Sequence, residues 1–416
     1  MDIKTPIKLE GARLARAPAA GALCALALFS SLAAMQAAAQ APTPAQLAQQ
    51  QAIQMYTRIT GAPPSASILS QIQTDAAANN FAAVGTLAVS QPQFYNVTLR
   101  NIFAAESNRD GSVFVPLNDY IVTAIGMVHD DVPYNTALSA DILYTLKASG
   151  LPAPSASNNN HYQMADTNNV DISANLVKSM QTTVYGYSGA AVAGLITTRA
   201  GAIQHFDAGT NRRGYNINII NQTCHQMENI TDTSLPSDRI RQDVAASPGG
   251  DSRVRLQSCV GCHSHMDPMA GAFAYYDYNE TTGAMVYTAG KVQPKYFINA
   301  SNNPYGYVTV DDSWESRIRT GGADTNIFAF SPNLPGKGNG AAAFGTEIAG
   351  SGAFATCQVQ KAFKAVCLRA PSGSNDGAEI TKLTTAFTSG GYRFKQVFAD
   401  AALYCTTPGV TGGLTP

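Results

Sequence analysis

The chain has 416 residues, of which only 13% are charged, and a formal net charge of −1. Soluble proteins usually carry charge on roughly a quarter of their residues, so this surface is built instead from Asn, Ser, Thr and Gly. No basic run or patterned Lys/Arg face occurs, which excludes a nucleic-acid binder as the expected class. The length allows a large core and two or three domains.

Residues 1–39 read as a signal peptide. Lys4, Lys8, Arg13 and Arg16 form a basic n-region, and an apolar run follows from about Ala19 to Ala34. Ala37-Ala38-Ala39 offers an A-x-A cleavage site before Gln40. The apolar run is shorter than the ~20 residues of a bilayer span. Cys24 does not read as a lipoprotein cysteine, because Leu23 precedes it where a small residue is required. No later segment is apolar enough to span a membrane, so the expectation is a periplasmic or secreted protein of a Gram-negative bacterium. The sequons at Asn96, Asn221, Asn229 and Asn279 carry little weight in that setting.

Residues 40–150 read as an N-terminal helical domain. Thr43-Pro44 is a helix start with proline at the first helical position. Leu47, Ile53, Met55, Tyr56 and Ile59 follow at helical spacing. Gly61-Ala-Pro-Pro64 breaks the pattern and Ser65 opens the next helix. Further helices are expected near Phe81–Val89, Gln93–Ala105, Leu117–Val128 and Thr136–Lys147. No charged or histidine cluster concentrates here, which marks the region as scaffold or docking surface.

Residues 151–278 read as a second domain. A Pro/Ser/Asn-rich linker over Pro152–Asn169 precedes expected helices at Ile172–Thr182 and around Val192–His205. Gly209-Thr-Asn-Arg-Arg-Gly214 is a turn, followed by Tyr215–Cys224. Then comes Cys259-Val260-Gly261-Cys262-His263, the CxxCH spacing of c-type haem attachment. Two thiols one helical turn apart add to the two vinyl groups of one porphyrin, and the adjacent imidazole ligates the iron. A zinc cluster is disfavoured because no second CxxC exists. A thioredoxin-type dithiol needs a βαβ context that the flanks do not supply. Export supports the haem reading, since covalent haem attachment occurs outside the cytoplasm. One covalently attached haem c is therefore expected, on Cys259, Cys262 and His263.

Residues 279–351 form a long Gly/Asn-rich insert with few periodic signals. A structureless stretch of that length is unusual in a compact domain, so short strands and an ordered cover over the haem edge are expected, including Trp314. Residues 352–416 read as a C-terminal helical domain with helices near Phe354–Arg369, Ala378–Thr388 and Tyr392–Tyr404. The fold class expected is mainly α: multi-helical, with a haem-binding segment and an irregular insert. No internal repeat, Ser-His-Asp triad or phosphate loop is found.

Six cysteines follow the signal segment, and haem takes two. Cys224, Cys357, Cys367 and Cys405 can form two disulfides with three connectivities. If the three C-terminal helices run up-down-up, the first and third are parallel and Cys367 meets Cys405 at one end. Cys224 is then left to join Cys357, tying the haem segment to the C-terminal helices.

The run Cys259-Val-Gly-Cys-His-Ser-His-Met-Asp-Pro-Met-Ala-Gly-Ala-Phe-Ala-Tyr-Tyr-Asp277 resembles the CxxCHxxxDPxxxAxxxxD segment of the planctomycete-type cytochrome c domain proteins. Gly194-Leu-Ile-Thr197, Arg213-Gly214 and Cys224 resemble the element preceding that group's haem motif. Phe354-Ala-Thr-Cys357 and Gly391-Tyr-Arg-Phe-Lys-Gln-Val-Phe398 resemble its C-terminal helical domain. The resemblance covers about Gly194 to Cys405 and departs from the pattern in the Gly/Asn-rich insert. It implies one covalent haem in an exported bacterial protein and little more.

The distal side of the iron decides between electron transfer and catalysis. His265 stands too close in sequence to His263 to reach the opposite face of the ring, and His129 reads as a helix-end residue. Met266 and Met269 read as packing. His205 and Met227 flank the arginine-bearing turn and are the candidates for sixth ligand, or else pack locally. Arg212 and Arg213 are candidates for the haem propionates, since guanidinium matches carboxylate geometry, or else ordinary turn arginines. Asp267 either accepts a hydrogen bond from His263 or forms a tight turn, with Pro268 ending the helix. The turn is the expected role. The function expected is one-electron transfer with a redox partner protein, a dehydrogenase or respiratory-chain component. A haem peroxidase or oxygenase, or a surface-binding protein with an accessory haem domain, stands as the alternative.

Overall fold

The first helix, Pro44–Thr60, begins where the sequence expects it. Thr43 accepts from the Gln46 backbone N–H (3.3 Å) and Gln46 Oε1 accepts from the Thr43 backbone N–H (2.8 Å), a reciprocal cap. The computed structural model describes residues 41–319 and 327–406. The signal segment 1–39 and its cleavage site lie outside the described residues.

From Ala48 onward the chain is mainly α-helical, with three small two-stranded antiparallel sheets among the described residues. Ser65 caps Ala66–Ala77, Asn80 caps Phe81–Val89 and Asn118 caps Asp119–His129. Each side-chain oxygen takes an N–H that the first turn would otherwise leave unpaired. Phe94–Glu106 is helical as expected, but its first turns are π-helical over Phe94–Leu99. The C-terminal region holds the three expected helices, at Gly352–Cys367, Gly373–Ser389 and Phe394–Thr406.

Residues from each of the four regions read from the sequence enter one hydrophobic core. Phe94 packs edge-on against Phe398 (ring centroids 5.0 Å apart), and Tyr134 lies against Phe394 at the same distance. The Tyr134 N–H donates to the Tyr392 carbonyl at 3.0 Å. The early helices and the last helix therefore stabilise one another.

Four expectations need correction. Thr136–Lys147 and Ile172–Thr182 are not continuous helices. Leu143–Leu146 and Leu176–Ser179 pair as antiparallel strands, Leu143 opposite Ser179 and Leu146 opposite Leu176. All four residues of the first strand are buried, and a short apolar run of that kind fits strand and helix alike until a partner is known. The linker at Pro152–Asn169 contains a helix, Asn160–Thr167, that buries His161, Tyr162 and Ala165. The helix around Val192–His205 is divided. Gly194 adopts φ +51, and a Cβ there would meet the Ala137 carbonyl oxygen at 2.0 Å, so the helix proper is Arg199–Phe206.

The Gly/Asn-rich insert contains short strands, as expected, but also a helix, Gly340–Ala349. Its strands are Ala284–Tyr287 against Tyr276–Asn279, and Ser313–Glu315 against Lys337–Asn339. Trp314 is buried and meets Phe344 edge-on, within an aromatic cluster that continues through Phe273 to Phe206.

Cys224 lies at disulfide distance from Cys357 (Cα–Cα 5.3 Å), and Cys367 from Cys405 (5.5 Å). Non-reducing peptide mapping is expected to recover these two linkages and no peptide joining Cys357 to Cys405. The first bridge spans 133 residues and the second 38. Replacing Cys224 and Cys357 by alanine should cost about 1 kcal/mol more than replacing the other pair, because closure entropy grows with loop length. Urea unfolding of the two double variants measures the difference.

Candidate functional site

The CxxCH motif lies on one helical run. A π-helical turn at Arg255–Cys259 leads into the α-helix Val260–Ala270, which tightens to a 3₁₀ turn at Gly271–Phe273. Widened π turns recur at functional sites. Pro268 does not end the helix, which runs two residues beyond it. With no N–H at Pro268 one bond of the ladder is missing, and the helix stops soon after. Asp267 is likewise not a turn residue. It stands one turn after His263 on the same helix face and meets it.

Cys259 and Cys262 are free and half-buried. Burial, aided by Glu228 and Cys259, pushes the Cys262 thiol up. The helix is held close to the preceding loop at Gly261, whose carbonyl accepts from the Asp232 N–H at 3.1 Å. A Cβ on Gly261 would meet Thr231 Cβ at 3.3 Å. His263 Nδ1 donates to Asp267 Oδ1 at 3.0 Å. An ionised carboxylate only accepts, so Nδ1 carries a proton, and in the neutral imidazole Nε2 then presents the lone pair. No described residue makes a hydrogen bond to Nε2. Leu256, just before the motif, is 62% exposed. Two thiols one turn apart, an unclaimed imidazole nitrogen and an uncovered leucine thus share one helix.

Behind His263, Asp267 has no exposed side-chain surface. It accepts from His263 Nδ1, from Arg212 Nε (2.5 Å) and Nη2 (3.0 Å), and from the Arg241 backbone N–H (2.9 Å). Those four donors match the roughly four acceptor positions of a carboxylate. Burial would push the Asp267 carboxyl up. The hydrogen bond from His263 and the charge of Arg212 outweigh it and hold the group well below the usual carboxylate range. Arg212 also grips Asp243, through Nη1 (2.7 Å) and Nη2 (2.6 Å), and reaches Thr210 Oγ1 at 2.9 Å. Arg241 is buried, bonds Asp243 and the Thr210 carbonyl, and lies 4.4 Å over the Tyr296 ring.

A strained turn aims Arg212 at this carboxylate. Ala208, Gly209 and Asn211 all have positive φ, and Asn211 is fully buried. Asn211 Nδ2 donates to the carbonyls of Phe273 (2.8 Å) and Tyr276 (2.9 Å), fastening the turn to the end of the motif helix. Arg212 then opens the helix Arg212–Thr223.

The remaining candidates are dispersed. Arg213 is exposed, with one 3.5 Å bond to the Asp207 carbonyl. His205 is buried with both nitrogens engaged: Nδ1 donates to the Gly201 carbonyl (2.7 Å) and Nε2 accepts from Asn218 Nδ2 (2.9 Å). As placed it offers no lone pair to a metal. Met227 is buried in a 3₁₀ turn, Met227–Asn229, whose Glu228 acts electrostatically on Cys262. His129 ends its helix, as expected. His265 is fully buried and its Nδ1 shares a hydrogen bond with the Tyr215 hydroxyl at 3.0 Å. Burial, with neighbouring His263 adding to it, pushes His265 down to about 4. Sequence reasoning missed Asp243 and Arg241. The only available signal was their place in an Arg-x-Asp triplet, which is too common to single out.

No family model, curated protein or solved structure matches this chain. Among the described residues no group of three or more His, Cys, Asp or Glu is arranged to hold a metal ion. That finding does not bear on haem, whose iron takes only one or two ligands from the protein.

Burial pushes the His205 imidazole down to about 4 from an ordinary 6.5. Between those values the unfolded chain binds a proton that the folded chain does not, so stability falls as pH drops through the window. From pH 7 to pH 5 the loss from this residue is about 2 kcal/mol. Urea unfolding at both pH values should show that His205→Gln lacks this increment of acid sensitivity. Equal loss in both proteins would contradict the assignment.

Proposed function

We propose that this protein is an exported monohaem c-type cytochrome that carries one electron between redox partner proteins. Haem c is attached through Cys259 and Cys262, and His263 ligates its iron. The observation that carries this reading is the division among the cysteines. Four lie in two pairs at disulfide distance, while the two of the motif stay free beside an imidazole with an open Nε2. Reactive dithiols work by lowered thiol pKa values, whereas burial raises that of Cys262. Two pairs at disulfide distance also favour an oxidising compartment, in keeping with a periplasmic or secreted protein. No helix among the described residues is long and apolar enough to cross a membrane. The likeness of residues 259–277 to the planctomycete-type cytochrome c domain proteins belongs to the same proposal.

When bound, the haem supplies a one-electron iron couple. The chain's own residues do the rest. Asp267 keeps the proton on His263 Nδ1 and fixes the ring so that Nε2 faces away from the helix's own carboxylate. Arg212 and the Arg241 N–H prevent Asp267 from turning. The aromatic cluster of Phe206, Phe273, Phe344 and Trp314 keeps water from the buried side of the motif helix. Met227, next in the chain to the Glu228 that acts on Cys262, is the second iron ligand this reading favours. A second reading, a peroxidase or oxygenase with an open distal position, draws support from His205, whose nitrogens are both spent.

Replacing both Cys259 and Cys262 by alanine should abolish covalent haem attachment, read as loss of haem from the protein on a denaturing gel. A fully loaded variant would refute the proposal. Optical spectra of the wild-type protein, reduced with and without carbon monoxide, separate the two readings. A low-spin spectrum indifferent to carbon monoxide supports electron transfer, and ready binding supports the open site.

A further inference from the structure

The carboxylate behind His263 is built more elaborately than orientation alone requires. A metal-ligating histidine often donates its second N–H to a backbone carbonyl or to water, and either fixes the tautomer. Here the acceptor is an anionic carboxylate without solvent exposure. Its remaining acceptor positions are filled by Arg212 and the Arg241 N–H. Arg212 does not cancel this charge outright, because its guanidinium is shared with Asp243 at 2.6 and 2.7 Å. The Arg241 guanidinium goes to Asp243 and Thr210, and only its backbone reaches Asp267.

We propose that Asp267, clamped by Arg212, makes His263 an electron-rich ligand and thereby lowers the reduction potential of the attached haem. The inference rests on the haem reading above. A carboxylate drawing on Nδ1–H increases the donor power of Nε2, and a stronger donor favours the oxidised iron. The couple exchanges one electron with the redox partner, and the Nδ1 proton stays between His263 and Asp267 throughout. Asp267 and Arg212 are positioning residues, acting on the iron only through His263. Arg212 is the moderator: the more of its charge Asp243 takes, the more of Asp267's charge His263 feels.

The test uses the exported protein purified with its haem. Asp267→Asn keeps an oxygen acceptor for Nδ1–H but removes the charge. The midpoint potential should rise by an amount that shifts the oxidation equilibrium at least tenfold, about 59 mV for one electron. In a Met227→Ala background, which opens the iron to carbon monoxide, the iron–histidine stretching frequency of the reduced haem, recorded by resonance Raman after photolysis of the carbon monoxide complex, should fall. Asp243→Asn leaves the His263–Asp267 bond in place and returns Arg212 to Asp267, so both readouts should move the same way by less. A haem-loaded Asp267→Asn protein with an unchanged potential and, in the Met227→Ala background, an unchanged stretching frequency would overturn the inference. If that variant does not fold, the Met227→Ala protein with Asp267 intact decides. A stretching frequency no higher than that of a haem–imidazole complex in water would overturn the inference, and a higher one would support it. Absence of covalent haem from the wild-type protein would instead sink the cytochrome reading itself.

Discussion

The carboxylate of Asp267 joins three stretches of chain that the sequence keeps apart. Through His263 it holds the motif helix, through Arg212 the turn at 207–214, and through the Arg241 N–H the irregular stretch that follows Met227. Burying a charge costs several kcal/mol unless its partners are close and well placed. Two carboxylates and two guanidiniums meet here with bonds mostly below 3.1 Å. The ion cluster therefore specifies one arrangement of these three segments. A shift of any of them would leave a buried charge without its partner.

The rest of the motif's surroundings follow from that constraint. Arg212 can reach Asp267 only because the turn before it is folded tightly, with Asn211 pinned to the carbonyls of Phe273 and Tyr276. Those carbonyls lie just past the motif helix, so both ends of the connection are fixed by the same few residues. Below them the aromatic side chains fill the core from Phe206 to Trp314. The motif's thiols and imidazole are less buried than most of the helix that carries them.

How far the site was legible differs by residue. Cys259, Cys262 and His263 lie within five consecutive residues, so their spacing on a helix follows from the chain itself. Asp267 stands one turn later, and its bond to His263 was one of two readings. The proline beside it tipped the choice towards a turn, yet a proline near a helix end removes only one ladder bond. Arg212 was singled out as a partner for carboxylates and is one, but the carboxylates are Asp243 and Asp267 of the chain. Their sequence separations of 31 and 55 residues put the pairing beyond any local rule. His205 read as a ligand candidate because nothing in the sequence reveals that Asn218 takes its second nitrogen.

By itself the sequence determined the elements whose signals are local. Caps at Thr43 and Ser65 place helix starts, because the capping oxygen and the N–H it satisfies are only three residues apart. The spacing of Cys259, Cys262 and His263 and the three C-terminal helices belong to the same class. Only the tertiary structure decided that Leu143–Leu146 and Leu176–Ser179 are strands, since each lacks ladder partners without the other. It alone decided that Arg212 serves His263 through Asp267, because a buried charge takes whichever counter-charge the folded chain brings within reach.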